Sequence, residues 1–205
     1  LTPLRIDEIV DVKPDIDRVE IKGKAILFES GIYAVLPDDM PETLALAALD
    51  VAGAPAQVAK LARPCQSVVI LGSAGKSGML CAYEAVKRVG PTGTVIGLVR
   101  NEKEAALLAR VSDKIKIVIA DATKPIEVLN AVLAANDGKE VDIAINCVNV
   151  QNTEMSTILP VKDLGIAYFF SMATSFTKAA LVAEGVGKDV TMIVAIGYTK
   201  DHAAV

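Results

Sequence analysis

An α/β protein with a doubly wound parallel sheet is predicted by two features of the chain. From residue 67 onward six short apolar runs, rich in Val, Ile and Ala, alternate with helical patterns. The first run, SVVIL, leaves through the glycine turn Gly72-Ser73-Ala74-Gly75-Lys76-Ser77-Gly78 and passes directly into a helix. Strict strand–helix alternation gives a parallel sheet with helices on both faces, and six strands suit the Rossmann order 3-2-1-4-5-6. Composition agrees, because 52% of the 205 residues are hydrophobic and only 4% aromatic, which suits strands buried on both sides.

From IDEIVDV to YAVLP, residues 6–37, the pattern reads as short strands broken at Lys13-Pro14 and Lys22-Gly23, with Lys13, Lys22 and Lys24 on a solvated face. Asp39-Met40-Pro41-Glu42 reads as a helix start, with Asp38-Asp39 as the cap. The stretch ETLALAALDVAGAPAQVAKLA is helical with a break near Gly53 and Pro55. The strand at 67–72 is followed by a helix over 75–89, stopped by Gly90-Pro91, with Met79, Tyr83 and Val86 on one face. Strands then follow at 94–99, 116–121, 141–148, 165–171 and 190–198. The helices between them run over 102–111, to about 135, through Met155 to about 159, and from about 176.

The formal charge of −4 and the lack of a basic stripe speak against nucleic acid as a partner. No apolar run reaches the ~18–20 residues of a membrane span, and no signal peptide precedes the first strand. Cys65, Cys81 and Cys147 are too scattered for a disulfide framework or a zinc site, so a reducing, cytoplasmic setting without a metal is expected. The chain begins with Leu and ends in TKDHAAV, the start of a helical pattern, and is expected to be part of a longer protein.

The turn has the spacing G-x-x-G-x-x-G. Gly72 allows a sharp exit from the strand, Gly75 allows close approach of a pyrophosphate, and Gly78 allows the helix to pack against the sheet. Backbone N–H groups of the first helical turn, from Ser73-Ala74 to Lys76-Ser77, then face the anion. A Walker reading of GKS fails, because position 70 is Ile where that motif needs glycine. The second strand ends Leu98-Val99-Arg100-Asn101, with Val99 where an NAD site carries an acid. A guanidinium at Arg100 suits a 2′-phosphate, so NADP is favoured and NAD stays open.

With these residues in place the chain resembles the zinc-free quinone-oxidoreductase branch of the medium-chain dehydrogenase/reductase superfamily. The segment KAILFESGIYAVLPDDMPETLALAAL looks like the end of a GroES-like catalytic domain and its linking helix. Closer still, four segments resemble the L-erythro-3,5-diaminohexanoate dehydrogenase family. They are LTPLRIDEIVDVKPDIDRVEIKGKAILFESGIYAVLP, ILGSAGKSGMLCAYEAVKRVGPTG, INCVNVQNTEMSTILPVKDLGIAYFFSMATSF and EGVGKDVTMIVAIGYTKDHA. The resemblance implies a GroES-like remnant over 1–40 and an NAD(P)-binding Rossmann domain over 41–205. It also implies oxidative deamination of 3,5-diaminohexanoate with release of ammonia. One departure is read at Ala195-Ile196-Gly197.

Strand ends supply the remaining candidates. Asp121 is placed near the adenine or as a helix cap. Cys147 and Val148, with Asn149, fall beside the nicotinamide ribose by the superfamily's geometry, Cys147 serving as a small packing residue rather than a nucleophile. Ser171 and Met172, through Thr174, end the fifth strand as cofactor contacts or turn residues, and Tyr198 and Thr199 end the sixth. Glu154 is expected on a helix face, or holding a distal ammonium, and His202 in a frayed end. No catalytic base is assigned to this chain. A small-molecule substrate and a homo-oligomer are expected. The alternatives are an NADPH-dependent quinone or enoyl reductase and a nucleotide-sensing module without turnover.

Overall fold

A computed structural model describes residues 1–31, 33–194, 199 and 202–204. The expectations at Ala195, Ile196, Gly197 and Tyr198 lie outside the described residues. The chain divides into two units, Leu1–Val35 and Leu36–Val205.

The first unit is an antiparallel hairpin of β1 (Thr2–Lys13) and β2 (Arg18–Ile26). The break at Lys13-Pro14 is a single 3-10 turn over Pro14–Ile16, closed by Asp17. Lys22-Gly23, in contrast, is no break. Gly23 lies inside β2, where a Cβ would come 2.7 Å from the Arg5 carbonyl oxygen. The pairing shifts register between Pro3 and Arg5, Ile6 and Glu8, and Ile9 and Asp11. Each shift puts an extra residue on β1 and tightens the twist of the ribbon. Lys13 and Lys22 are exposed as expected, and Lys22 reaches across to Glu8 at 2.7 Å.

The second unit opens with α1 (Glu42–Leu49) and α2 (Gly53–Leu61), the break falling where Gly53 and Pro55 predict it. Pro41, not Asp38 or Asp39, holds the N-cap position of α1, and no side chain caps it. Then follow β3 (Ser67–Leu71), α3 (Lys76–Val89), β4 (Thr94–Val99) and α4 (Glu102–Leu108). Next come β5 (Ile115–Ile119), α5 (Pro125–Ala135), β6 (Val141–Asn146) and α6 (Glu154–Ile158). The last elements are β7 (Val161–Phe169), α7 (Phe176–Gly185) and β8 (Thr191–Val194). The six strands lie in the order β5-β4-β3-β6-β7-β8, all parallel. In sheet numbering that is 3-2-1-4-5-6, the order expected from the alternation.

Alternate residues of each central strand feed opposite faces. Val68 and Ile70 of β3 pack with Val58 of α2, Ala82 and Ala85 of α3 and Leu108 of α4. Val69 and Leu71 pack on the other side with Val128 and Val132 of α5. Ile158 of α6 and Ala179 of α7 cover Ala167 and Phe169 of β7. The face of α3 differs from expectation. Gly78, Cys81, Ala82, Ala85 and Val89 are its buried apolar positions, Met79 and Val86 flank them, and Tyr83 is 53% exposed. Lys87 instead places its ammonium over the Tyr83 ring. Among the described residues no single helix is long and apolar enough to cross a membrane.

At the N-terminal edge of the sheet one carboxylate joins three strands. Asp142 of β6 accepts from the Ser67 backbone N–H at 2.7 Å and the Ser67 hydroxyl at 2.9 Å, at the start of β3. It also pairs with Lys162 of β7 at 2.6 Å. Burial pushes its carboxyl upward, but the bonds from Lys162 and Ser67 outweigh burial and hold it below its ordinary value. A depressed folded pKa contributes stability above the unfolded value of about 3.9 and loses it as pH falls through the folded value. Asp142→Asn is therefore expected to lower stability at neutral pH by about 1 kcal/mol after solvent screening. It should also flatten the acid limb of denaturation, as read from Tm against pH.

Candidate functional site

The switch point of the sheet lies between β3 and β6. From β3 the chain steps outward to β4 on one side, and β6 begins the other half. Connections leave in opposite directions there, so a crevice opens at the carboxyl ends of the strands. A cavity of about 720 Å³ occupies it, bordered by the ends of β3, β4, β5 and β6 and by one side of α4.

The floor is the glycine turn. Gly72 has φ +78, the left-handed region, and a Cβ there would meet Val148 at 3.0 Å. Gly78 is fixed by contact: a Cβ would lie 2.1 Å from the Gly72 carbonyl oxygen and 2.7 Å from the Ser73 Cα. Gly75 is neither strained nor crowded. Its backbone is extended, and a Cβ would meet only the Gly72 carbonyl oxygen, at 3.5 Å. The space over it belongs to the cavity. Gly75 is also the N-cap of α3 and has no side chain to accept from the first turn. No side chain therefore caps the leading N–H groups of that helix. Asn101 caps α4 through the Glu104 N–H, and Ser175 caps α7 through the Lys178 N–H.

Of the residues singled out from sequence, Gly72, Ala74, Gly75, Arg100, Asn101, Asp121, Cys147 and Val148 border the cavity. Ser73, Lys76, Ser77, Gly78, Ser171 and Met172 do not. Ser73 is fully buried and donates its hydroxyl to the Ile70 carbonyl at 2.6 Å, tying the turn down from beneath. Lys76 turns outward to Asp50, at 3.3 Å. Ser171 accepts from the Ala173 N–H at 3.1 Å, a turn bond, and Met172 is exposed.

Arg100 carries a partner that sequence reading missed. Its Nε donates to Glu104 at 2.8 Å, a second guanidinium nitrogen contacts the same oxygen, and its backbone N–H meets the other carboxylate oxygen at 3.0 Å. Glu104 is held below its ordinary range, chiefly by the Arg100 side chain, and Arg100 is pushed up by the same bond. Lys103, also on the cavity wall, has no ion pair among the described residues. Arg100 precedes the Asn101 cap of α4, so the pair is made by the chain folding back at the helix start and no helical spacing announces it.

Asp121 accepts from the Thr123 N–H and hydroxyl at 2.9 and 2.7 Å, which holds its carboxyl below the usual range. It does not cap α5, whose N-cap is Lys124. Cys147 is half-buried, and beside it stand the buried Cys81, pushed up by burial and then by Cys147, and the buried Tyr168, pushed up by burial, then by Cys81 and then by Cys147. Glu154 is not on an exposed face. It is buried and accepts from the Ser175 N–H at 2.8 Å. Thr199 donates to the Gly53 carbonyl at 3.1 Å, and His202 lies half-buried in a 3-10 turn. Among the described residues no cluster of His, Cys, Asp or Glu could hold a metal.

Residues 1–37 match the L-erythro-3,5-diaminohexanoate dehydrogenase N-terminal domain. Over all 205 residues the chain is 84% identical to L-erythro-3,5-diaminohexanoate dehydrogenase of Fusobacterium nucleatum. It is 72% identical over the same span to that of Acetoanaerobium sticklandii. Along its whole length the chain is thus similar to L-erythro-3,5-diaminohexanoate dehydrogenases. It spans 59% and 60% of the length of these two relatives. Solved structures share the fold at low identity. A mycobacterial quinone oxidoreductase superposes with a TM-score of 0.62 at 15% identity, covering 78% of this chain and 48% of that one. A mycobacterial protein complexed with NADPH superposes with a TM-score of 0.62 at 17% identity, covering 79% of this chain and 49% of that one.

The two inner glycines of the turn should respond differently to one added methyl group. Gly78→Ala forces the helix off the Gly72 carbonyl and is expected to cost about 3 kcal/mol in denaturant unfolding. Gly75→Ala, with ordinary contact distance around the new Cβ, should stay within about 1 kcal/mol of the parent.

Proposed function

We propose that this chain forms the NAD(P)-binding part of an enzyme that oxidatively deaminates L-erythro-3,5-diaminohexanoate to 5-amino-3-oxohexanoate, a step of anaerobic lysine fermentation. The observation that carries the reading is identity of 84% along the whole chain to a dehydrogenase of that name. The crevice supports it independently, because its floor fits a dinucleotide. A pyrophosphate needs a surface without side chains and with outward N–H groups, and the uncapped start of α3 over Gly75 offers both.

In this reading the turn Gly72–Gly78 holds the pyrophosphate, with Ser73 bracing it from below. Arg100, Asn101 and Asp121 border the adenosine half, and Cys147 and Val148 the other half. Ser171 and Met172 belong to the loop beyond that half. The nicotinamide, when bound, accepts the hydride removed from C3 of the substrate. Hydride leaves C3 only when the attached nitrogen is unprotonated, so a base must first take a proton from the ammonium. Water then adds to the resulting imine carbon and ammonia departs. One substrate, one NAD(P)⁺ and one water thus give one keto acid, one NAD(P)H and one ammonium, with a proton released. A quinone or enoyl reductase activity rests on fold likeness alone, at 15% identity.

Incubating the full-length enzyme with 3,5-diaminohexanoate and NAD(P)⁺ is expected to yield ammonia and reduced cofactor in equal amounts, at a rate that rises with pH until the base is deprotonated. Reduced cofactor without ammonia would instead indicate an alcohol substrate. For the choice of cofactor, Arg100→Ala should lower NADP affinity roughly ten- to a hundredfold and leave NAD nearly unchanged. Glu104→Gln, which frees Arg100, should shift affinity toward NADP. Equal changes for both cofactors in a binding titration would assign the pair a structural role.

A further inference from the structure

The wall of the cavity on the β6 side is held by one buried side chain that touches none of the space itself. Asn146, the last residue of β6, is fully buried, and both polar atoms of its side chain are engaged. Its Oδ1 accepts from the Val148 N–H at 3.0 Å. A backbone N–H can only donate, so the amide oxygen must face Val148 and the Nδ2 group must face the other way. There Nδ2 donates to the Thr153 hydroxyl at 2.9 Å and the Thr157 hydroxyl at 3.0 Å. The Thr157 hydroxyl passes its own proton to the Thr153 carbonyl at 2.8 Å. The Asn146 carbonyl accepts from the Phe170 and Ser171 N–H groups at 3.1 and 3.2 Å, where the chain leaves β7. One residue thus binds the segment Cys147–Val150 to α6 and to the end of β7. Cys147, Val148, Asn149 and Val150 all border the cavity.

We infer that Asn146 is a positioning residue for the nicotinamide half of the cofactor, an inference that rests on the dinucleotide reading of the cavity. The adenosine ribose of such a cofactor lies at the end of β4. The other half therefore crosses the glycine turn toward β6, onto the wall that Asn146 holds. The adenosine half, bordered by Arg100 and Asp121, has no bond to this network.

The test compares ligands that carry different halves. Binding of NADPH and NADH to the full-length protein is measured beside binding of AMP and adenosine 2′,5′-bisphosphate. Asn146→Ala is expected to weaken both dinucleotides on the order of tenfold and to leave both adenosine fragments unchanged. Thr157→Val, which keeps the shape of the side chain and removes one acceptor, should give a smaller loss with the same selectivity, and it stands in if the alanine variant does not fold. Equal weakening of fragments and dinucleotides, or no weakening of either in Thr157→Val and Asn146→Ala, overturns the inference. Failure of the unsubstituted protein to bind any dinucleotide overturns the reading of the cavity itself, before any variant is compared.

Discussion

The geometry of the site depends on how closely two pieces of backbone approach. The first turn of α3 rests on the Gly72 carbonyl at a distance no Cβ could occupy. That contact sets where the helix begins, directly beyond the end of β3. The neighbouring strand makes the same concession. A Cβ on Gly97 in β4 would strike Leu108 at 2.4 Å and stand 3.2 Å from the Ser73 hydroxyl that braces the turn. With both side chains absent, α3 and α4 settle against the sheet on either side of the turn. The crevice between β3 and β6 is then the space left when those helices are seated.

Much of this frame was legible from periodicity and spacing. The alternation of strands and helices implies a parallel sheet, and the glycine turn marks its first strand, so strand order follows from general rules of connection. The face of α3 was harder to read because closeness selects against bulk. Met79, Tyr83 and Val86 have helical spacing, yet Gly78, Cys81, Ala82 and Ala85 are the residues small enough to lie against the strands. Caps misled for a related reason. Asp38, Asp39 and Asp121 have capping chemistry, but a cap depends on backbone angles at one position, and Pro41 and Lys124 hold those positions.

What sequence could not display were pairings set by tertiary structure. Glu154 meets the Ser175 N–H across 21 residues, and Asp142 meets Ser67 across 75. Asn146 reaches its partners by way of a loop and a helix, so no local pattern distinguishes it from any asparagine at a strand end. Burial decides each case. A polar group removed from water must find a partner inside the protein, and the partner is chosen by how the layers meet.

The Arg100–Glu104 pair changes what it means for a phosphate to arrive at the end of β4. A lone arginine would be gained by an incoming anion at the cost of water alone. Here the guanidinium already faces a carboxylate on the first turn of α4, so on the proposed reading a 2′-phosphate competes with that carboxylate for it. Exchange conserves one ion pair: the arginine ends as neutralised as it began, and the displaced carboxylate is handed to solvent. The net gain is the difference between two anions at one cation. On the dinucleotide reading proposed above, any preference for a 2′-phosphate is therefore set by that difference and not by the arginine alone.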